Sequence, residues 1–100
     1  MTEAVAQQAT YQPSEQLRKL DRMVGTWRVT GGAEGTVRFE WLPGGFFLLQ
    51  HVDLVQDGRR VRGIEVIGHE RPFGGGPGEE ITSRFYDADG NTLHYVYEGN

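Results

Sequence analysis

Residues 41–69 read "WLPGGFFLLQHVDLVQDGRRVRGIEVIGH", two apolar runs set off by two turn signals. Gly44-Gly45 and Asp57-Gly58 each suit a two-residue hairpin turn, whose central residues need positive φ. Such turns set register, and register decides which side chains share a face. With Gly44-Gly45 as the first turn, Trp41 pairs with Leu48, Phe39 with Gln50 and Val37 with Val52. With Asp57-Gly58 as the second, Val52 pairs with Gly63, Gln50 with Glu65, Leu48 with Ile67, and Phe46 with His69. On the opposite face Asp53 meets Arg62, an opposite-charge pair that supports the same register.

Working outward, the period-two pattern recurs. "TWRVTG" (26–31) and "GTVRFEWL" (35–42) precede the two central strands (46–55 and 60–69), and "EITSRFYD" (80–87) and "NTLHYVYE" (91–98) follow them. "DADGN" suits a three-residue loop with Gly90 in the left-handed position. "RPFGGGPG" (71–78) is a longer connection. Six strands joined in this way predict an all-β, antiparallel up-and-down meander. Before them, "PSEQLRKLDRMV" (13–24) is the one helical pattern, with Ser14 as N-cap and Leu17, Leu20 and Val24 on one face. So short a helix must dock on something to persist.

The totals narrow the function. One hundred residues make one domain: a disordered tail over 1–12, then a barrel domain over 13–100. The net charge is −4 and the nine Arg and one Lys are scattered, so there is no basic footprint for nucleic acid. No Cys is present, which excludes disulfides, thiolate metal sites and Cys nucleophiles. No apolar run approaches the ~18 residues of a membrane span. The first residues carry no basic and apolar leader pattern. The expectation is a cytoplasmic protein with neither nucleic acid nor membrane as partner.

The interior face collects Trp27, Phe39, Trp41, Phe46, Leu48, Ile67, Phe85, Tyr95 and Tyr97, with Gln50, Glu65, His69 and Ser83 among them. An aromatic interior with a few polar groups is the composition of a small-molecule cavity. Its structural counterpart is a filled core whose polar groups satisfy one another. The expected ligand-binding set is Trp27, Phe39, Trp41, Phe46, Gln50, Glu65, His69 and Tyr95. On the other face Phe47, Leu49, Ile64 and Val66 form an apolar patch beside His51, which marks a contact surface such as a homodimer interface.

A short helix followed by Gly25-x-Trp27 at the start of the first strand resembles the calycin superfamily, the lipocalins and fatty-acid-binding-like barrels. "WLPGGFFLLQ" and "VRGIEVIGHE" are similar to an uncharacterised bacterial branch of it. The nitrobindins, haem-binding barrels, are a more distant relative. The resemblance spans about residues 14–98 and implies a barrel whose closed end is plugged by Trp27. Calycin barrels have eight or more strands and this pattern has six. The implied barrel therefore lacks its C-terminal strands or closes through a partner chain. Nitrobindins hold haem through a His near the C-terminal end of the barrel, and no His of this chain matches it. No cofactor is expected, haem being the alternative that the resemblance raises.

No catalytic or metal site is expected. Glu65 and His69 lie about 13 Å apart at ~3.3 Å per residue, too far for a hydrogen-bonded dyad. His51 and Asp53 lack a nucleophile. His51, His69 and His94 do not converge. "DADGNTLHYVYE" (87–98) has the acidic spacing of an EF-hand loop but Thr92 where the Gly belongs. Three functions remain. The first is a binding protein for a small, largely apolar ligand oriented by Gln50, Glu65 and His69. The second is an enzyme using Glu65 or His69 as acid or base. The third is an interaction domain with a filled core that dimerises.

Overall fold

In a computed structural model, residues 11–97 are described. Ser14 starts a helical segment made of one α-helical turn, α1 (Glu15–Arg18), and a 3₁₀ stretch (Lys19–Met23). Its Oγ accepts the Leu17 amide at 3.0 Å, satisfying a donor that the first turn leaves free. Six strands follow: β1 (Gly25–Val29), β2 (Ala33–Trp41), β3 (Phe47–Gln56), β4 (Arg59–His69), β5 (Ile81–Asp87) and β6 (Thr92–Tyr97). They form one antiparallel sheet in the order β1-β2-β3-β4-β5-β6. Among the described residues β1 and β6 do not pair, so the sheet is open, a partial barrel. No helix among those residues is long and apolar enough to cross a membrane.

The register is the one the turns require. Gln56 and Arg59 pair across Asp57 (φ 53) and Gly58 (φ 76), a two-residue turn with both centres in the left-handed region. Between β2 and β3 the connection is longer than Gly44-Gly45 alone. Leu42 N–H donates to Phe47 at 2.9 Å and Gly45 N–H to Leu42, so Pro43–Phe46 form a four-residue loop and Phe46 falls outside the strand. Adding one residue on each side of a two-residue turn leaves the pairing unchanged. Trp41 accordingly still faces Leu48, and Phe39 still faces Gln50.

Pairing orders the inner face into ranks across the sheet. The first rank runs Trp41, Leu48, Ile67, Ser83, Tyr95. The second runs Gly25, Phe39, Gln50, Glu65, Phe85, Leu93. The third runs Trp27, Val37, Val52, Gly63, Asp87, and the fourth Val29, Gly35, Leu54, Val61. The buried apolar residues Phe39, Leu48, Ile67 and Ile81 lie at the helix-proximal end, with Leu17 and Leu20 packed on them. Burying a Leu side chain is worth about 1.5–3 kcal/mol, so this contact holds a helix too short to stand alone.

The third apolar position of the helix differs from expectation. Val24 is 43% exposed, and Met23 packs against the core instead. The cause is the 3₁₀ turn. At three residues per turn, positions three apart line up, so Leu20 is followed on its face by Met23. The expected disordered tail, 1–12, lies outside the described residues except for Tyr11 and Gln12. The Tyr11 ring lies 4.4 Å beneath the Arg71 guanidinium. The Tyr97 side chain also lies outside what is described.

Candidate functional site

The helical segment is tied to the sheet at three points, and each tie uses a side chain on the inner face. His69 Nε2 lies 2.8 Å from Ser14 Oγ at the start of the segment. The Trp41 indole N–H donates to Asp21 Oδ1 at 2.8 Å. The Trp27 indole N–H donates to the Met23 carbonyl, also at 2.8 Å, taking up an acceptor that the helical end leaves free. Trp27 is on the inner face by register, yet half its surface is exposed. In an open sheet there is no closed end for it to plug, and its visible role is this hydrogen bond.

The expected ligand-binding set therefore divides. Phe39 is buried in the core, and Trp41 packs against that core. Phe46 and His69 line a cavity of about 200 Å³ with Tyr11, Ser14, Phe47, Arg71 and Pro77. His69 Nδ1 is buried without a hydrogen-bond partner. Trp27 and Phe39 border a shallow hollow of about 360 Å³ with Arg22 and Met23. Gln50 and Glu65 are neighbours in the second rank, and Tyr95 reaches Glu65 from the first.

Glu65 is the centre of that second group. It is 9% exposed, and Ser83, 1% exposed, donates its hydroxyl to Glu65 Oε2. The Tyr95 hydroxyl donates to the same oxygen at 2.6 Å. The carboxylate accepting its proton holds the Tyr95 phenol above its ordinary value of 10.0. Gln50 is the cross-strand neighbour of Glu65, as expected, but the hydrogen bonds to Glu65 among the described residues come from Ser83 and Tyr95. Ser83 was legible as an inward-facing polar residue. Its bond to Glu65 was not, because the two occupy adjacent ranks on neighbouring strands rather than directly opposed positions.

Past Glu65 the inner face is aliphatic and partly exposed. Val37 packs against the core, Val52, Val29, Leu54 and Val61 are partly buried, and Trp27 stands at their edge. None of these valines, nor Leu54, was in the expected set. The signal was present, since all continue the inward parity of Phe39, Gln50 and Glu65. Gly63 breaks the row. A Cβ there would come within 2.6 Å of the Phe85 ring, so that ring lies across the glycine beside Glu65.

The outer face carries the expected apolar patch. Phe47, Leu49, Ile64 and Val66 are partly buried, and Phe47 lies across Gly68. Tyr86, exposed, extends the patch from Ile64. His51 is engaged by Glu40, with Nε2 2.7 Å from Oε2, and Arg38 also pairs with Glu40. That network holds the Glu40 carboxyl below its ordinary value, His51 contributing most. Asp53 faces Arg62 in the register, but its bidentate partner is Arg60, at 3.0 and 3.1 Å. The two arginines share a face, and the diagonal one is the one that bonds.

No protein-family model matches the chain, and a search of curated proteins finds no match.

Proposed function

We propose that the chain is a binding module for a small, largely apolar molecule, held on the inner face of a calycin-like sheet. The observation that carries this reading is the partly exposed aliphatic surface of the third and fourth ranks, with buried Glu65 at its border, held from the far side by Ser83 and Tyr95. Apolar area supplies affinity and a few placed polar groups supply orientation, which is the usual division in ligand sites. The ligand body lies over Val37, Val52, Leu54 and Val61, and its polar end reaches Glu65. Trp27 gives the site an optical probe. Titration with a panel of small aromatic and aliphatic molecules should change Trp fluorescence saturably. Val52→Asp, which places a charge in the middle of the surface, should abolish that change while Trp41 keeps its signal. Saturable binding unaffected by Val52→Asp would place the ligand elsewhere.

The proposed compartment is the cytoplasm. A second copy docking through Phe47, Leu49, Ile64 and Val66 is the corresponding proposal for the outer face. Loss of dimer on Leu49→Lys, read by native mass spectrometry, tests it.

A further inference from the structure

The two hydroxyls that hold Glu65 act on one oxygen. Ser83 and Tyr95 both donate to Oε2. No donor among the described residues engages Oε1, and Glu65 keeps 9% of its surface exposed. The carboxylate is thus locked in orientation by one oxygen and left with an open acceptor on the other. Its neighbours add no competing cation. On the inner face it is flanked by Gln50, Phe85, Gly63 and Ile67; Arg60, Arg62 and Arg84 alternate onto the outer face, and Arg59, which shares the inner parity, lies six residues away at the far end of β4.

We propose that the ligand of this site carries an amine or other N–H donor on an apolar body, and that Glu65 Oε1 is its acceptor. The inference rests on the binding reading above and names the ligand class for it. A carboxylate would face a like charge at Glu65, and a bare hydrocarbon would leave Oε1 unused. A carboxylate oxygen accepting from a charged nitrogen makes one of the stronger hydrogen bonds available to a protein. The exposed part of the Tyr95 ring and the Phe85 ring add faces on which a cation is attracted.

Three probes with one ring system separate the possibilities: naphthylmethylamine, methylnaphthalene and naphthoate, measured by calorimetry on the whole chain. The amine should bind at least about tenfold more tightly than the hydrocarbon, and naphthoate should bind most weakly. In Glu65→Gln the amine should lose its advantage, so that amine and methylnaphthalene bind the variant equally. Carbon-13 glutamate side-chain NMR of the unmutated protein supplies a readout that does not depend on the variant folding. The Glu65 carboxyl signal should move with the amine and not with the hydrocarbon. Equal affinity for amine and hydrocarbon, tighter binding of naphthoate, or an amine complex that leaves the Glu65 signal in place would overturn the amine assignment while leaving the apolar site standing. Binding of none of the three would overturn the site and the assignment together.

Discussion

Two parts of the inner face lie on the same strands and differ in what covers them. Under the helical segment, Leu48, Ile67 and Phe39 are sealed by Leu17 and Leu20. Two ranks further along, Val52, and then Leu54 and Val61, keep the same parity and the same apolar character but remain partly exposed, while Val37 still touches the core. Alternation alone decides which side of a strand is apolar. Whether that side becomes core or binding surface depends on where a short helical segment ends. Glu65 sits at the junction, close enough to the core to be buried and close enough to the uncovered surface to be reached.

The largest expected effect comes from removing the cover. Leu17→Ala should cost about 2–5 kcal/mol in urea unfolding, the range for deleting a sealed aliphatic side chain. Val52→Ala, on the same sheet face but half exposed, should cost about 1 kcal/mol. Similar values for the two would erase the distinction between the two halves.

Ser14→Ala should cost about 1 kcal/mol, because it removes the N-cap bond to Leu17 and the tie to His69 at once. Amide exchange should then rise in residues 15–23 and in the covered strands before it rises near Val61. Uniform acceleration would mean that the segment does not hold one half of the face in particular.

Tyr95→Phe probes the junction, and should cost about 0.5–1.5 kcal/mol by removing one hydrogen bond. In the unmutated protein the Tyr95 phenol is held above its ordinary value of 10.0 by the Glu65 carboxylate. Its contribution to stability is therefore complete below the unfolded value and is lost as pH rises through the higher folded one. Ultraviolet difference titration should show a late-titrating tyrosine that is missing from the variant. A titration unchanged by the substitution would detach Tyr95 from Glu65.

The smallest effect belongs to the outer face. His51 and then Arg38 hold Glu40 below its ordinary value of 4.5. A depressed carboxylate contributes stability above the unfolded value, and that contribution is lost as pH falls through the lower folded value. The groups are exposed, so the effect should be slight and screened by salt. Acid unfolding of Glu40→Gln, compared with the unmutated protein below pH 4.5, checks it. A loss larger than that of Tyr95→Phe would reverse the ranking of the two faces.

Much of this arrangement was legible residue by residue. Asp57-Gly58 predicted its turn and hence Gln50 opposite Glu65, because only one register follows from a two-residue hairpin. The misplaced length of the Pro43–Phe46 loop did no harm, since a symmetric extension preserves pairing. Val24 misled because a helix of 3.6 residues per turn was read where the chain tightens to three. The expected site joined Trp41, Phe46 and His69 to Gln50, Glu65 and Tyr95. Parity places them on one face but says nothing of the segment that covers part of it.

What the amino-acid order determined by itself is the meander, its register and the inward parity of Phe39, Gln50, Glu65 and Tyr95. These follow from period-two alternation and from contacts between neighbouring strands, most of them joined by turns of a few residues. The tertiary structure alone decided that Leu17 seals one end of the inner face, that both Trp indoles secure the helical segment, and that Ser83 and Tyr95 meet on one oxygen of Glu65. The bond from Tyr95 to Glu65 joins residues 30 positions apart, and Leu17 packs on residues more distant still. The geometry of such contacts depends on the curvature of the whole sheet, which no local pattern records.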